Sequence, residues 1–187
     1  TSLKELKKII AKNKKNPEKA KIEIIGSIST SFGCSISGSI SEKKVLTIVQ
    51  KLIECGVDEI SLADTVGYAN PRQVASLVKQ VLNLSHQVPI IGHFHDTRGF
   101  GLANLVAAVD QGVTKFDSSL RGLGGCPYAP GASGNIPTED CIYLLESMGY
   151  DTGVDLKKMM SLCKLVERWL PNETLHGKFV SSNFNPN

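Results

Sequence analysis

The feature of this sequence that most constrains its fold is an apolar pattern spaced i, i+3, i+4, i+7, which occurs four times. Such a quartet places its apolar side chains on one face of an α-helix. Capping and turn residues flank the repeats, so we predict four amphipathic helices. The quartets are Val45, Ile48, Val49, Leu52; Val74, Leu77, Val78, Val81; Leu102, Leu105, Val106, Val109; and Cys141, Leu144, Leu145, Met148. The predicted N-caps are Ser41, Asn70 and Thr138, and the predicted helix ends are Gly56, Gly112 and Gly149.

A short β-rich apolar run precedes each helix, so strand and helix alternate along the chain. The predicted strands are 22–28, 57–62, 88–93 and 113–118. This alternation is typical of parallel βα units in a doubly wound sheet or a (β/α)8 barrel. A complete barrel takes about 250 residues, whereas the chain has 187, so its length allows half a barrel. We predict one α/β domain over 1–187, with βα units over 22–150 and an extension, 151–187, that carries an extra C-terminal helix near 155–170.

Composition and charge exclude several classes of protein. With 41% hydrophobic and 21% charged residues, the chain has enough apolar content for one packed core. It lacks an apolar run of the roughly 18 residues that cross a membrane, so we expect no membrane partner. Residues 1–21 hold eight lysines and two glutamates. This basicity is confined to a predicted helix with an apolar face of Leu3, Leu6, Ile9 and Ile10, and we expect no nucleic-acid partner.

The five cysteines are odd in number and far apart in the sequence. This spacing indicates neither a disulfide framework nor a zinc site of the C-x-x-C type. We therefore expect reduced thiols and a cytoplasmic location. Three cysteines fall on helical stripes and are predicted to lie in the core; they are Cys55, Cys141 and Cys163.

Polar residues follow the predicted strands at their carboxyl ends, where parallel βα folds carry functional side chains. His93 and His95 are spaced i, i+2, so both imidazoles project to the same side of a strand. Asp64 follows the preceding strand, and Asn135 lies in the loop after the next one. Nitrogen and oxygen ligands without thiolates favour Mg, Mn or Zn. We interpret the pair as metal ligands, the alternative being two hydrogen-bonded histidines at a strand end.

A glycine-rich segment, 122–134, follows the fourth strand and contains five glycines. Glycines allow backbone conformations closed to other residues and close approach to a ligand. The segment lacks the Lys-Ser/Thr ending of a phosphate-binding P-loop. It carries Cys126, whose thiol is expected to be exposed there. A plain surface loop is the alternative.

Three stretches resemble the hydroxymethylglutaryl-CoA lyase family, the lyase branch of the DRE-type TIM-barrel metallolyases. The similarity runs from about residue 22 to residue 153, and the Gly-Gly-Cys-Pro motif within it is specific to the lyase branch. The resemblance implies that the chain forms the second, carboxyl-terminal half of a TIM (β/α)8 barrel. The stretches are Gly92-His93-Phe94-His95-Asp96-Thr97, Phe116-Asp117-Ser118-Ser119, and the run from Gly122 through Cys126 to Asn135.

The resemblance also implies roles for individual residues. It places a divalent metal, with Mg or Mn expected, on His93, His95 and Asn135. Catalysis is implied for Cys126 as an acid/base, for Asp64 in proton transfer or on a metal-bound water, and for His93. Four further residues are predicted to contact the substrate; they are Thr65, Arg98, Gly124 and Gly125. Tyr128 and Arg98 are candidates for the CoA or carboxylate end, with plain surface roles as the alternative.

The implied reaction is cleavage of 3-hydroxy-3-methylglutaryl-CoA to acetyl-CoA and acetoacetate, with an acyl-CoA as the partner molecule. The family's Arg-Asp pair of the first barrel strand is absent from this sequence. The alternatives are therefore a related acyl-CoA lyase or condensing enzyme, or an inactive half-barrel fragment. A half barrel has two unpaired sheet edges, so we expect a homo-oligomer or pairing with the missing half-barrel.

Overall fold

The computed structural model describes residues 3–15, 22–84, 86–125 and 133–182. The helices are α1 (Leu3–Lys14), α2 (Glu42–Cys55), α3 (Pro71–Leu84), α4 (Gly101–Val109), α5 (Thr138–Ser147) and α6 (Leu156–Trp169). The strands are β1 (Ile25–Ile28), β2 (Glu59–Asp64), β3 (Ile90–Phe94) and β4 (Lys115–Asp117). Over these ranges, no helix is long and apolar enough to cross a membrane.

The four strands form one parallel sheet in the order β1-β2-β3-β4. The predicted alternation of strands and helices is confirmed. Because side chains alternate across a strand, the register divides the sheet into two faces. One face packs against the helices through residues such as Ile60, Leu62 and Phe94. We call the other the polar face; along the register it carries Ser27, Glu59, Ser61, His93, Lys115 and Asp117.

The predicted apolar quartets contribute nine of the 22 buried residues of the hydrophobic core cluster in the described ranges. On α3, all four residues, Val74, Leu77, Val78 and Val81, are at most 2% exposed. Burial of side chains of this size stabilises a fold by about 1.5–3 kcal/mol each. The prediction is wrong for Ile48 of α2, which lies at the edge of its stripe and stays exposed. It is also wrong for Met148, which follows the end of α5 and is exposed.

The predicted caps are confirmed for α2, which runs from the N-cap Ser41 to the C-cap Gly56. The C-caps of α4 and α5, Asp110 and Met148, come two residues and one residue before the predicted Gly112 and Gly149.

Asn70 accepts a hydrogen bond from the Gln73 backbone N–H at 3.1 Å, and the Gln73 side chain accepts one from the Asn70 N–H at 3.2 Å. This reciprocal pair is a capping box that fixes the start of α3. Thr138 is the first residue of α5 and not its N-cap, which is Pro137. Its hydroxyl is hydrogen-bonded to Ser118 instead, at 2.9 Å.

Helix α1 packs on α2 through only part of its predicted apolar face. Ile10 is buried in the core cluster and Leu6 is partly buried against it. The prediction is wrong for Leu3 and Ile9, which are exposed. The helix is therefore held by one narrow stripe, and its exposed lysines are solvated. Residues 16–21 of the predicted basic segment lie outside the described residues.

Buried polar contacts tie α6 and the segment that follows it to the start of α5. Arg121, which is buried and has φ 56°, pairs with Glu139 of α5 at 3.4 Å and with Glu167 of α6 at 3.1 Å. The Asp140 carboxylate accepts the backbone N–H groups of Lys178 and Phe179 at 2.8 and 2.9 Å. The extension thus docks directly beside the glycine-rich segment.

Candidate active site

The two histidines of the His-x-His element meet at the carboxyl end of β3. His93 lies within the strand and His95 one residue beyond it. Their Nε2 atoms are 3.3 Å apart, and the ring centroids are 5.3 Å apart. Both rings therefore project to the same side, as their spacing predicts, and they direct nitrogen atoms at a common point. His95 is buried and His93 is partly exposed.

Asn135 lies directly opposite His95. The two residues form an antiparallel bridge, with the Ile136 N–H donating to the Phe94 carbonyl at 3.0 Å. Directly opposed residues of such a pair have neighbouring side chains on one face. The three predicted metal positions are thus adjacent, and the donor set of two imidazoles and one amide oxygen fits a divalent ion. In the described part of the chain, no three His, Cys, Asp or Glu side chains are grouped to hold a metal.

The environment of His95 favours its neutral form. Burial of the ring lowers the pKa of His95 below its ordinary value, and the neighbouring His93 lowers it further. A neutral imidazole has a lone pair to offer a metal ion, whereas an imidazolium has none. The position is therefore suited to ligation.

Asp117 is a site residue that motif reasoning did not assign a role. It is the register partner of His93 on β4, and its Oδ2 lies 3.0 Å from His93 Nδ1. The available sequence signal was its place at the carboxyl end of the fourth strand. The contact depends on the register between β3 and β4, which the sequence pattern does not specify.

Asp64 and His93 belong to opposite faces of the sheet. The register partner of Asp64 is Phe94, so Asp64 belongs to the helix-covered face of the sheet, whereas His93 pairs with Ala63 on the polar face. The Asp64 carboxylate accepts the backbone N–H groups of Tyr68 and Ala69 at 2.8 and 3.1 Å. Burial raises the pKa of Asp64, while these hydrogen bonds and Arg98 act in the opposite direction. In this structure Asp64 holds the turn after β2.

Two predicted substrate contacts, Thr65 and Arg98, lie in a network at the rim of the sheet. Thr65 Oγ1 accepts the Thr30 backbone N–H at 3.0 Å. Arg98 Nη1 donates to the carbonyls of Val66 and Gly67 at 2.9 and 3.0 Å. Its guanidinium also lies 4.3 Å from the centre of the Tyr68 ring. These side chains link the loops that follow β1, β2 and β3, and their contact with a substrate stays a prediction.

The glycine-rich segment closes on itself at its base. A Cβ added to Gly134 would lie 2.1 Å from the Gly122 carbonyl oxygen and 2.7 Å from the Leu123 backbone. We call this contact of Gly122, Leu123 and Gly134 the loop neck. Gly124, with φ 116°, and Gly125 follow it as exposed residues. Cys126 and Tyr128 lie outside the described residues.

Comparison with known proteins decides the family. Residues 2–166 match the family described as HMGL-like. The chain belongs to the HMGL-like family. It is 45% identical over 150 residues to a hydroxymethylglutaryl-CoA lyase of Bacillus subtilis, covering 80% of this chain and 50% of that protein. It is 48% identical over 138 residues to a hydroxymethylglutaryl-CoA lyase of Pseudomonas mevalonii, covering 74% of this chain and 46% of that protein.

Solved structures of HMGL-like lyases share the fold. The crystal structure of the Bacillus subtilis HMG-CoA lyase matches with a TM-score of 0.86 at 40% identity, covering 96% of this chain and 59% of that one. An HMG-CoA lyase of Acinetobacter baumannii, in complex with coenzyme A and 3-methylmalate, matches with a TM-score of 0.84 at 36% identity, covering 100% of this chain and 62% of that one. The predicted TIM-barrel architecture and the resemblance to this family are confirmed. The chain spans about half the length of the curated relatives it matches.

Proposed function

We propose that this chain provides the metal-holding part of a hydroxymethylglutaryl-CoA lyase site. The reaction is cleavage of 3-hydroxy-3-methylglutaryl-CoA to acetyl-CoA and acetoacetate. The observation that carries the proposal is the convergence of His93 and His95, with Nε2 atoms 3.3 Å apart, beside Asn135. Identity of 45% and 48% to two proteins named as this lyase supports it.

The residues that would hold the metal are His93, His95 and Asn135. When bound, a divalent ion such as Mg or Mn supplies the Lewis acidity that lowers the pKa of the substrate hydroxyl and orients the bond to be cleaved. The strand end and its bridge provide a rigid support for the three side chains. A support of this kind fixes the geometry of the ligands before the substrate arrives.

Two protons move in the proposed reaction. The hydroxyl proton leaves as the carbon–carbon bond breaks, and the acetyl-CoA enolate takes up a proton at carbon. We assign the second transfer to the Cys126 thiol. For the first, His93 is better placed than Asp64, because its ring lies on the polar face and both Asp64 oxygens already accept backbone N–H groups.

One nitrogen of His93 cannot hold an ion and accept a proton at the same time. The His93→Gln variant distinguishes the two roles when its Mn²⁺ affinity is measured by titration calorimetry and its turnover is measured separately. A ligand role predicts a loss of affinity of at least tenfold, similar to that of His95→Gln. A role as base alone predicts unchanged Mn²⁺ affinity together with lost turnover.

Acetoacetate release from hydroxymethylglutaryl-CoA, with Mg²⁺ or Mn²⁺, tests the activity itself. We expect release that Cys126→Ala lowers by at least a hundredfold and Cys34→Ala leaves unchanged. Cys34 is a matched control because it is a free cysteine outside the core. Mn²⁺ binding without any release would contradict activity of this chain alone and support the alternative of an inactive half-barrel. The missing Arg-Asp pair motivates that alternative.

We propose that the substrate is an acyl-CoA, in line with the coenzyme A complex of the Acinetobacter baumannii relative. Thr65, Arg98, Gly124 and Gly125 are the proposed contacts, because they lie in the loops that follow the strands at the end where the histidines lie. Calorimetric titration of the unmodified chain and of the Arg98→Ala variant with free coenzyme A tests the Arg98 contact. Unchanged coenzyme A affinity would contradict it.

We propose that the open edges of the sheet pair with further strands, from a second copy or from another half-barrel. In the sheet as described, β1 and β4 each have one strand neighbour. An apolar cavity of about 430 Å³ lies beside β4, between α4 and α5. Phe116, Leu105 and Ile142 are among the residues that line it.

We also propose a cytoplasmic location. Relatives named as cytoplasmic and as mitochondrial both match the chain, in mouse and in rat respectively. Fractionation of the source cells tests the proposal, and recovery with an organelle would contradict it.

A further inference from the structure

Asp117 is positioned to determine which nitrogen of His93 faces the proposed metal site. The two residues face each other across β3 and β4, with Asp117 Oδ2 3.0 Å from His93 Nδ1. A carboxylate only accepts hydrogen bonds at neutral pH. Nδ1 must therefore carry the proton in this contact, and the neutral ring must leave its lone pair on Nε2.

The register neighbour of His93 on its other side has no polar side chain. This neighbour is Ala63 of β2, whose side chain is a methyl group. The ring also contacts His95, whose Nε2 lies 3.3 Å from His93 Nε2. Asp117 and His95 thus face different nitrogens of the same ring, and Nε2 is the nitrogen on the side of the other two proposed metal positions.

We propose that Asp117 is the positioning residue of this site: its carboxylate fixes His93 in the Nδ1–H tautomer and so presents Nε2 to an ion or to the reacting hydroxyl. A free neutral histidine has no such constraint, because either nitrogen can carry the proton. Carboxylates that orient ligand histidines in this way change metal affinity by about 10–100-fold when removed. The significance for catalysis rests on the proposed function, but the tautomer itself does not.

The deciding measurement uses the metal-free 187-residue chain with ¹⁵N-labelled histidine. Long-range ¹H–¹⁵N correlation spectra distinguish the two tautomers of each of its four histidines, and His93→Gln assigns the His93 signals. We expect the Nδ1–H pattern for His93 in the unmodified chain and a shift to predominantly Nε2–H in Asp117→Ala. Asp117→Glu, which keeps the carboxylate, is expected to restore part of the Nδ1–H population.

Asp110→Ala is the matched control, because it removes an equal charge from an exposed position after α4. It should leave the His93 tautomer unchanged. A His93 signal of the Nε2–H type in the unmodified chain, or an Nδ1–H signal that survives in Asp117→Ala, overturns the inference. Circular dichroism of Asp117→Ala verifies that it is folded, and Asp117→Asn provides a second, isosteric variant.

Titration with Mn²⁺ separates this inference from the proposed function. We expect Asp117→Ala to weaken Mn²⁺ binding by about 10–100-fold, and Asp110→Ala to leave it unchanged. Equal affinity of Asp117→Ala and the unmodified chain would overturn the positioning role. Unchanged Mn²⁺ affinity in both His93→Gln and His95→Gln would instead overturn the proposed metal site, while the tautomer spectra still decide what Asp117 does to His93.

Discussion

Gly134 sits one residue before a proposed ligand and has no room for a side chain. An added Cβ would lie 2.1 Å from the Gly122 carbonyl oxygen, far inside van der Waals contact. We expect Gly134→Ala to destabilise the fold by about 1–3 kcal/mol, as overpacking does, and to weaken Mn²⁺ binding by displacing Asn135. Urea denaturation and Mn²⁺ calorimetry measure the two effects.

Gly149→Ala is the control for that substitution. Gly149 has φ 89° and open space around its Cβ position, so alanine there introduces only the cost of a left-handed backbone, about 1–2 kcal/mol. Mn²⁺ affinity should stay unchanged in this variant. A Gly134→Ala variant with unchanged stability and affinity would show that the loop neck can open without consequence.

Cys163 of α6 illustrates how a buried thiol makes stability depend on pH. It is fully buried, and burial raises the pKa of Cys163 to about 12 from an ordinary value of 9.0. Above pH 9 the unfolded chain releases this proton and the folded chain keeps it, so the free energy of unfolding falls as pH rises. We expect Cys163→Ala to remove up to about 1.4 kcal/mol per pH unit of that fall between pH 9 and 12. Urea denaturation at a series of pH values measures it, and an identical slope in the variant would contradict the assignment.

At the scale of elements, the docking of α6 depends on the buried Arg121, whose two carboxylate partners differ in exposure. The side chain of Glu139 is fully buried, whereas that of Glu167 is 39% exposed. Glu139→Gln leaves Arg121 without its buried counter-charge, and we expect a loss of about 3–5 kcal/mol. Glu167→Gln, the matched control, should cost about 1 kcal/mol or less. Thermal denaturation compares the two, and equal losses would contradict a dominant Glu139 pair.

Periodicity predicted which helices exist, because burial of an apolar stripe is a local property of the sequence. The predicted strands began two or three residues too early, since the apolar runs include loop residues such as Val57 and Val88. Motif reasoning placed His93 beside His95, which needs only the alternation along one strand. The face of the sheet on which Asp64 lies and the contact of Asp117 with His93 depend on the register between strands, which the sequence pattern does not specify.

At the scale of the whole molecule, the described sheet has two outer strands, β1 and β4, each with one unpaired edge. Ile25 of β1 is 50% exposed at one edge of the sheet. We expect the chain to self-associate through these edges, since unpaired strands recruit partners. Sedimentation velocity at several concentrations should show a mass above that of one chain, decreasing on dilution.

Two substitutions test whether the β1 edge is responsible for the expected self-association. Ile25→Lys introduces a charge on the β1 edge and should shift the association toward monomer. Ile48→Lys changes an equally apolar residue that is 44% exposed on α2, and it should leave the association unchanged. A strictly monomeric chain, or equal effects of the two variants, would contradict edge pairing.

Because of the loop neck, the stability of the barrel strands depends little on the length of the glycine-rich segment. Because Gly134 rests against Gly122 and Leu123, the two ends of the segment are held together by their contact with each other. The entropy of closing such a loop grows only with the logarithm of its length, by about 0.6 kcal/mol for each doubling. Insertions and deletions between these ends are thus nearly neutral for folding. The scaffold can therefore stay the same while this segment varies in length and sequence.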